Sequence, residues 1–511
     1  MRTKSFLLLL LYVFFFLNGK MTAQDNDVLQ HIRLMTYNIH NGTGTDNTKS
    51  YQRIADVISQ AQADVVAVQE VDSVTERSEQ TDVLLELATL TGMHHTYAPA
   101  ITLDGGKYGI GILSREEPAG FHYVPLPGRE EARVMLLVEF SNYVFCNAHI
   151  SLTAADQLLS LPIIKEEVAK FTDKPVFFAG DFNAEPDSPF IQGLTEDFKI
   201  LTNTKWLTSP ANYPQSTIDY ITIANKDSQN YTTVSSRTIS TQASDHLPVV
   251  ADIAHKDYKV PGFDRLLMTF EEYYKENTII SPENYAVGTN PGCISQELYD
   301  AMLAAYNEAV DFTGRPGLDD SEYNRAADNI IKSFERYDKE RVKLVPGYYL
   351  IVSQRSQDAM YDKGSVAYTT LGMAKPENWS PETAKYIWEV QAAADNRFYL
   401  KNVGTKRYLG PTDGNRHYLT SEDPQYSYVM PNFKSDMFLI KDPNHYTHCQ
   451  ADAVVVWWDD ATHEGNHWKF DIVAPIVVDT LQEKIDQKLL NDRLSSIHRL
   501  SLIHISEPTR H

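Results

Sequence analysis

The stretch "PVFFAGDFNAEPDSP" (residues 175–189) decides how this chain is read. Its apolar half, Pro175–Ala179, is a short run of strand-forming residues. Asp181, Asn183, Glu185 and Asp187 then follow within seven positions. Acidic groups crowded behind a strand hold a metal, orient a water, or open a loop, because Asx side chains favour turns. Further apolar runs lie on either side: "IRLMTYNI", "DVVAVQ", "RVMLLVEF", "YVFCNAHI", "IDYITIA" and "LPVVADI". Between them, "YQRIADVISQAQ" puts Ile54, Val57, Ile58 and Ala61 on one helical face. "TDVLLELATLTG" and "AADQLLSLPIIKEEVAKF" read the same way. Residues 25–256 are therefore expected to form a mixed α/β domain with a large core.

The 511 residues exceed one core, and the composition changes twice along the chain. After a linker at "KDYKVPGFD", residues 262–343 turn helical. Leu298, Met302, Ala305 and Ala309 form one stripe, and Tyr323, Ala327, Ile330, Phe334 and Tyr337 another, with "GRPGLDDS" between them. A helical hairpin acting as a spacer is expected. Residues 344–475 hold three variations on a strand pair, with Trp388, Tyr428 and Trp468 recurring every 40 residues. A fixed period of this length implies a pseudo-threefold β architecture. The segment resembles the ricin-type β-trefoil, without its usual Gln-x-Trp signature. Residues 476–499 begin another helix.

Both ends call for separate treatment. Arg2 and Lys4 precede the apolar run Phe6–Leu17, the pattern of a secretory signal, so residues 1–23 are expected to be removed on export. "LSLIHISEPTR" (Leu500–Arg510) resembles a translated transposase-type sequencing adaptor. Residues 500–511 are accordingly read as an artefact, with the natural chain continuing past Arg499. Cys146, Cys293 and Cys449 are too few and too scattered for a disulfide framework and are expected to be buried thiols. Net charge is −22, and residues 25–256 carry 30 acidic against 16 basic side chains. No cluster of Lys and Arg offers itself to a nucleic-acid backbone, which disfavours that class of partner.

Six pieces of the first domain carry chemistry: Asn38 in "TYNIH", Glu70 in "VQEVD", His149 in "NAHIS", Asp181 and Asn183 in "GDFNAEP", Asp219 in "STIDYI", and Asp245 with His246 in "SDHLPV". Each lies at or just past an expected strand. Taken together and in this order, they resemble the endonuclease/exonuclease/phosphatase family, also called deoxyribonuclease-I-like, over residues 31 to about 254. The resemblance implies a four-layer α-β-β-α sandwich, two packed mixed sheets flanked by helices, and hydrolysis of phosphate esters. A divalent cation offsets the charge that repels a nucleophile from a phosphoryl group. Mg²⁺ suits carboxylate ligands, with Mn²⁺ or Ca²⁺ as alternatives. Glu70 is the expected metal carboxylate, with Asn38 and Asp245 beside it. By the same resemblance Asp219 pairs with His246, Asp181 orients or deprotonates the water, and Asn183 and His149 meet the phosphoryl oxygens. The division of acid and base stays open among His149, Asp181 and His246.

Two departures bear on the substrate. Many relatives carry Arg where this chain has Thr217, so a phosphate-facing or structural cation is either missing or supplied elsewhere, by Arg115 or Arg133. His149 stands where apurinic-site repair enzymes of the family tend to carry tyrosine. "GGKYGIGILSR" offers a glycine-rich loop or a hairpin, with Tyr108 as a substrate contact. The reading is an exported metal-dependent phosphodiesterase or phosphatase acting on phospholipid, sphingolipid or another small phosphodiester, with membrane-surface lipid and carbohydrate as partners. A secreted deoxyribonuclease and a non-catalytic glycan-binding surface protein are the alternatives.

Overall fold

The computed structural model describes residues 28–505 except positions 213, 276–283, 316, 363–368, 372–378, 394–396, 413–417, 432–435, 443–444, 450–454 and 459–463. The expected signal segment and residues 506–511 lie outside the described residues.

The first domain runs β1 (His31–Asn38), α1 (Tyr51–Ala61), β2 (Val65–Ser73), α2 (Val83–Thr91), β3 (His94–Leu103) and β4 (Gly106–Ser114). It continues with β5 (Gly120–Leu126), β6 (Arg133–Glu139), β7 (Val144–His149), α3 (Ala154–Val168), β8 (Val176–Asp181) and α4 (Pro189–Leu194). It closes with β9 (Phe198–Ile200), β10 (Asp219–Ala224), β11 (Tyr231–Thr238) and β12 (Val249–His255). Two mixed six-stranded sheets result, ordered β11-β12-β1-β2-β4-β3 and β5-β6-β7-β8-β10-β9. Only β1–β2 and β7–β8 pair in parallel within them.

Alternating side chains explain how the sheets are covered. Leu34, Val65, Ala67 and Ile112 of the first sheet share one apolar cluster with Leu136, Phe145, Phe177 and Ile221 of the second. The opposite face of the first sheet (Met35, Val66, Val68) packs on Ile54 and Ile58 of α1 and Leu84 and Leu87 of α2. The opposite face of the second (Phe178, Tyr220) packs on Ile164 of α3 and Phe190 and Ile191 of α4. Polar groups cross between the sheets at Asn147 as well as at the strand ends. Asn147 of β7 donates through Nδ2 to the carbonyls of Val68 (3.0 Å) and Gly111 (2.7 Å), and its Oδ1 accepts from Gln69 Nε2 at 2.7 Å.

The helical unit departs from a two-helix spacer. A third helix, α5 (Gly262–Phe270), precedes α6 (Gln296–Thr313) and α7 (Asp320–Glu340) and packs on α7, with Arg265 Nη2 2.6 Å from Asp328 Oδ1. The expected stripes are buried, and Trp206 of the first domain packs into the same core. Asp319 and Glu322 close a capping box that starts α7.

Beyond residue 344, six strands form a closed ring: Gly347–Ser353, Ile387–Ala392, Arg397–Asn402, Tyr426–Pro431, Phe438–Lys441 and His467–Val473. Three hairpins hang from it, Met360–Asp362 with Thr369–Leu371, Tyr408–Thr412 with Tyr418–Ser421, and Tyr446–Cys449 with Val455–Trp458. Trp388 and Trp468 are fully buried in the ring, opposite Tyr349 and Phe438, and each indole donates to a hairpin carbonyl (Met360, 3.0 Å; Thr447, 2.9 Å). The residue at the matching place in the second unit is Ser427, opposite Phe398. Tyr428, read as the third member of the repeat, is one position off and only partly buried, because a one-residue shift turns a strand side chain to the other face. A final helix, Pro475–Ile505, rests on the ring through Val478 and Leu481. It runs through residues 500–505. The three cysteines are buried and none is in a disulfide, and among the described residues no helix is long and apolar enough to cross a membrane.

Candidate active site

All the strands that carry the quoted motifs bring them to one end of the two sheets. Asn38 ends β1, His149 ends β7 and Asp181 ends β8, while β10 runs the other way and starts at Asp219. Register fixes the neighbours: His149 is opposite Asp181, and Asp181 opposite Asp219. Gly180 permits the close strand approach, since a Cβ there would stand 1.9 Å from the Ala148 carbonyl oxygen. Glu70 sits where the pairing of β2 with β4 slips between Val68 and Val71. Such a bulge re-aims a side chain. Glu70 has φ 59° and Asn183 φ 49°, left-handed angles that cost a non-glycine residue about 1–3 kcal/mol.

Asp181 is the meeting point. Its Oδ2 accepts from Asn38 Nδ2 at 3.0 Å and lies 3.4 Å from His149 Nε2 and 3.7 Å from His246 Nε2. Its Oδ1 accepts from the Asn183 backbone N–H at 2.9 Å. Asp219 holds His246 by Oδ2 to Nδ1 at 2.9 Å. Asn38, Asp181 and Asp219 are at most 1 % exposed. Asn38 also donates to Glu70 Oε1 at 3.0 Å, and its own Oδ1 accepts from the His40 backbone N–H. Asn38 therefore orients two carboxylates through its nitrogen, one of them the expected metal carboxylate. Asp245 is partly exposed, 3.7 Å from His40 Nδ1.

The two histidines differ in charge. Burial disfavours a charged His246, but Asp219 and then Asp181 outweigh it and push the pKa up to about 10. Burial also disfavours a charged His149, Asp181 opposes this only in part, and Arg133 adds repulsion, so the pKa falls to about 4. Arg133 is buried and donates from Nη1 to His149 Nδ1 at 3.2 Å, as well as to Glu131 Oε1 at 2.7 Å. A guanidinium has no acceptor, so Nδ1 accepts and the His149 proton sits on Nε2, facing Asp181. Burial raises the Glu70 pKa, and the charges of Asp245 and Asp181 raise it further against the Asn38 hydrogen bond.

Tyr108 is buried beside Arg133 and His149, with the Arg77 guanidinium 5.2 Å from its ring centre. Arg115 is not in the site. It follows β4, and β2 pairs Ser114 with Val65 but Tyr108 with Asp72. At roughly 3.3 Å per residue, Arg115 is about 20 Å along the strand from Tyr108, at the opposite end, where its Nε donates to the Ala63 carbonyl at 3.0 Å. Thr217 fills the place of the missing arginine with a local tie, Oγ1 to the Thr204 carbonyl at 3.1 Å. Glu185 and Asp187 are exposed, and Ser188 caps α4 by accepting from the Ile191 N–H. Sequence reading passed over Asn147 and Gln69, whose only signal was polarity inside two apolar runs.

Residues 35–252 match the endonuclease/exonuclease/phosphatase family. No curated protein matches the chain. Among solved structures, an endonuclease/exonuclease/phosphatase from Beutenbergia cavernae is 22% identical over 44% of this chain and 72% of its own, with a TM-score of 0.37. One from Bacteroides vulgatus is 16% identical over 45% of this chain and all of its own, TM-score 0.38. A mannosyl-6-phosphatase from Bacteroides thetaiotaomicron is 15% identical over 44% and 99%, TM-score 0.36.

Proposed function

We propose that this chain is a divalent-metal-dependent hydrolase of phosphate esters. The observation that carries the reading is the convergence of Asn38, His149 and His246 on one oxygen of Asp181. Asp181 is the acceptor that orients the attacking water. His246, charged at neutral pH, gives a proton or a strong hydrogen bond to the phosphoryl or leaving oxygen, a donor role where a base had been one expectation. His149, neutral, donates from Nε2 to a phosphoryl oxygen. Asn183 lies beside them, its Nδ2 on the Ile150 carbonyl at 3.0 Å.

The donor set fits a cation at Glu70. A half-buried carboxylate whose neighbours are two more carboxylates favours compensating charge. Glu70, with Asp245 beside it, would hold Mg²⁺, with Mn²⁺ or Ca²⁺ as substitutes, and the ion would neutralise charge on the phosphoryl oxygens. Ligand atoms of Asp181, Asp219 and His246 also lie within 4.8 Å of one another. There the direct His246–Asp219 hydrogen bond leaves those two groups already satisfied by each other.

Several wider readings go with this one. The three apolar clusters support a four-layer α-β-β-α sandwich for residues 25–256. The closed ring with three hairpins supports a β-trefoil for residues 344–475, with carbohydrate as its ligand class. The apolar run Phe6–Leu17 supports export. The acid balance of the catalytic domain favours a phospholipid, sphingolipid or other small phosphodiester over DNA.

Hydrolysis of bis-p-nitrophenyl phosphate with Mg²⁺, with EDTA, and by His246→Ala tests the reading. Activity that survives EDTA sinks the metal assignment, and equal rates for variant and parent sink the site. Sphingomyelin, phosphatidylinositol and plasmid DNA then rank the substrates.

A further inference from the structure

The segment that leads into Asp219 is held by both of the accessory units. Residues 201–218, described except at position 213, join β9 to β10. On one side, Lys205 pairs with Asp338 of α7, and the Trp206 ring meets Tyr273 edge-on at 5.8 Å. On the other, the Gln215 side chain donates to the Tyr446 hydroxyl and accepts from Lys441 Nζ at 3.3 Å. Lys441 stands 5.1 Å over the Tyr446 ring, so the two ring-domain residues form one contact.

From Gln215 the hydrogen bonds run without a break to the catalytic pair. The N–H groups of Gln215 and Ser216 donate to the Ser209 carbonyl at 2.9 Å. Thr208 Oγ1 accepts from the backbone N–H of Ile218 (3.1 Å) and Asp219 (3.3 Å). The Thr208 carbonyl accepts from the Leu247 N–H at 2.7 Å, and the Ala211 N–H donates to the Asp245 carbonyl at 2.7 Å. This small hairpin is therefore bonded to the residues on both sides of His246 and to Asp219 itself. Its far end touches the C-terminal unit.

We propose that the C-terminal ring domain braces this hairpin, and that Gln215, Tyr446 and Lys441 are positioning residues for the Asp219–His246 pair. The ring domain is then a working part of the active site. None of the three side chains is asked to touch substrate. Their effect is on where His246 sits, and small misplacement of a catalytic group costs rate far more than binding. The kinetic side of this proposal rests on the hydrolase reading above; the structural side does not.

The test uses the full chain carrying Tyr446→Ala, Gln215→Ala or Tyr446→Phe. Hydrogen exchange is followed at the amides of Ala211, Gln215, Ser216, Ile218, Asp219 and Leu247. Loss of protection there in both alanine variants, with protection of β6–β8 and of the ring strands unchanged, is the expected result. With bis-p-nitrophenyl phosphate and Mg²⁺, kcat falls about tenfold while KM stays within about twofold, and Tyr446→Phe, which keeps the ring under Lys441, lies between. Unchanged exchange at those amides overturns the proposal, whatever the kinetics. A parent chain with no hydrolase activity sinks the catalytic reading alone, and exchange still decides whether the brace exists.

Discussion

The two halves of the site hold their histidines at the same depth and charge them oppositely. On the β10–β12 side, His246 leans on Asp219 and is a cation at neutral pH. On the β6–β7 side, His149 accepts from Arg133 and is neutral. Asp181 lies between and faces both. Burial disfavours charge on both rings to a similar degree, and only His246 has partners that outweigh it. One carboxylate thus has a charged ring on one flank and a neutral N–H donor on the other.

Breaking the charged half has the largest expected effect. Asp219→Asn or His246→Ala lowers kcat on bis-p-nitrophenyl phosphate by about 10²–10⁴-fold, read at saturating Mg²⁺. Glu70→Gln comes next: it raises the Mg²⁺ concentration needed for half-maximal rate by roughly tenfold or more, measured by metal titration after EDTA. On the neutral half, Arg133→Gln frees His149 Nδ1 and moves the His149 titration up toward its ordinary range, followed by NMR of the ring protons, with a smaller fall in rate. The pH dependence of stability separates the halves. The raised His246 pKa contributes stability that is full below about 6.5, the ordinary histidine value, and is lost as pH rises through about 10. The lowered His149 pKa does the reverse. The unfolded chain takes up its proton first, so stability falls as pH drops from about 6.5 to about 4. Denaturant unfolding in EDTA from pH 4 to 10 shows both slopes, and His246→Ala flattens only the alkaline one.

The seven strands expected in the first domain are all present, and they are central ones. The strands the apolar pattern passed over include all four sheet edges: β3, β5, β9 and β11. Of these β11, "YTTVSSRT", lacks an apolar run even though Ser235–Thr238 are buried, so its burial could not be read from hydrophobicity. β4 was hidden differently, by Gly106, Gly109 and Gly111, where its neighbours crowd in; a Cβ on Gly109 would stand 2.1 Å from the Ala98 carbonyl oxygen. The motif residues that end strands were legible, because chain order and register carry them together. Arg115 was misplaced because a motif records proximity in sequence, while an antiparallel strand carries its two ends apart. Arg133 was found, but its bond to a ring nitrogen needs coordinates. In the ring domain the same limit appears as a one-residue error at Tyr428. There Trp468→Ala is expected to cost about 3–5 kcal/mol, and Tyr428→Ala well under that, by denaturant unfolding.

The bulge at Glu70 bears on how this domain would drift if nothing required the carboxylate there. Position 70 combines a backbone angle suited to glycine, a half-buried carboxylate, and two more carboxylates nearby. Each of these opposes folding. Glu70→Gly is therefore expected to melt higher than the parent while losing the metal response. At this position the fold retains a residue that its own stability works against.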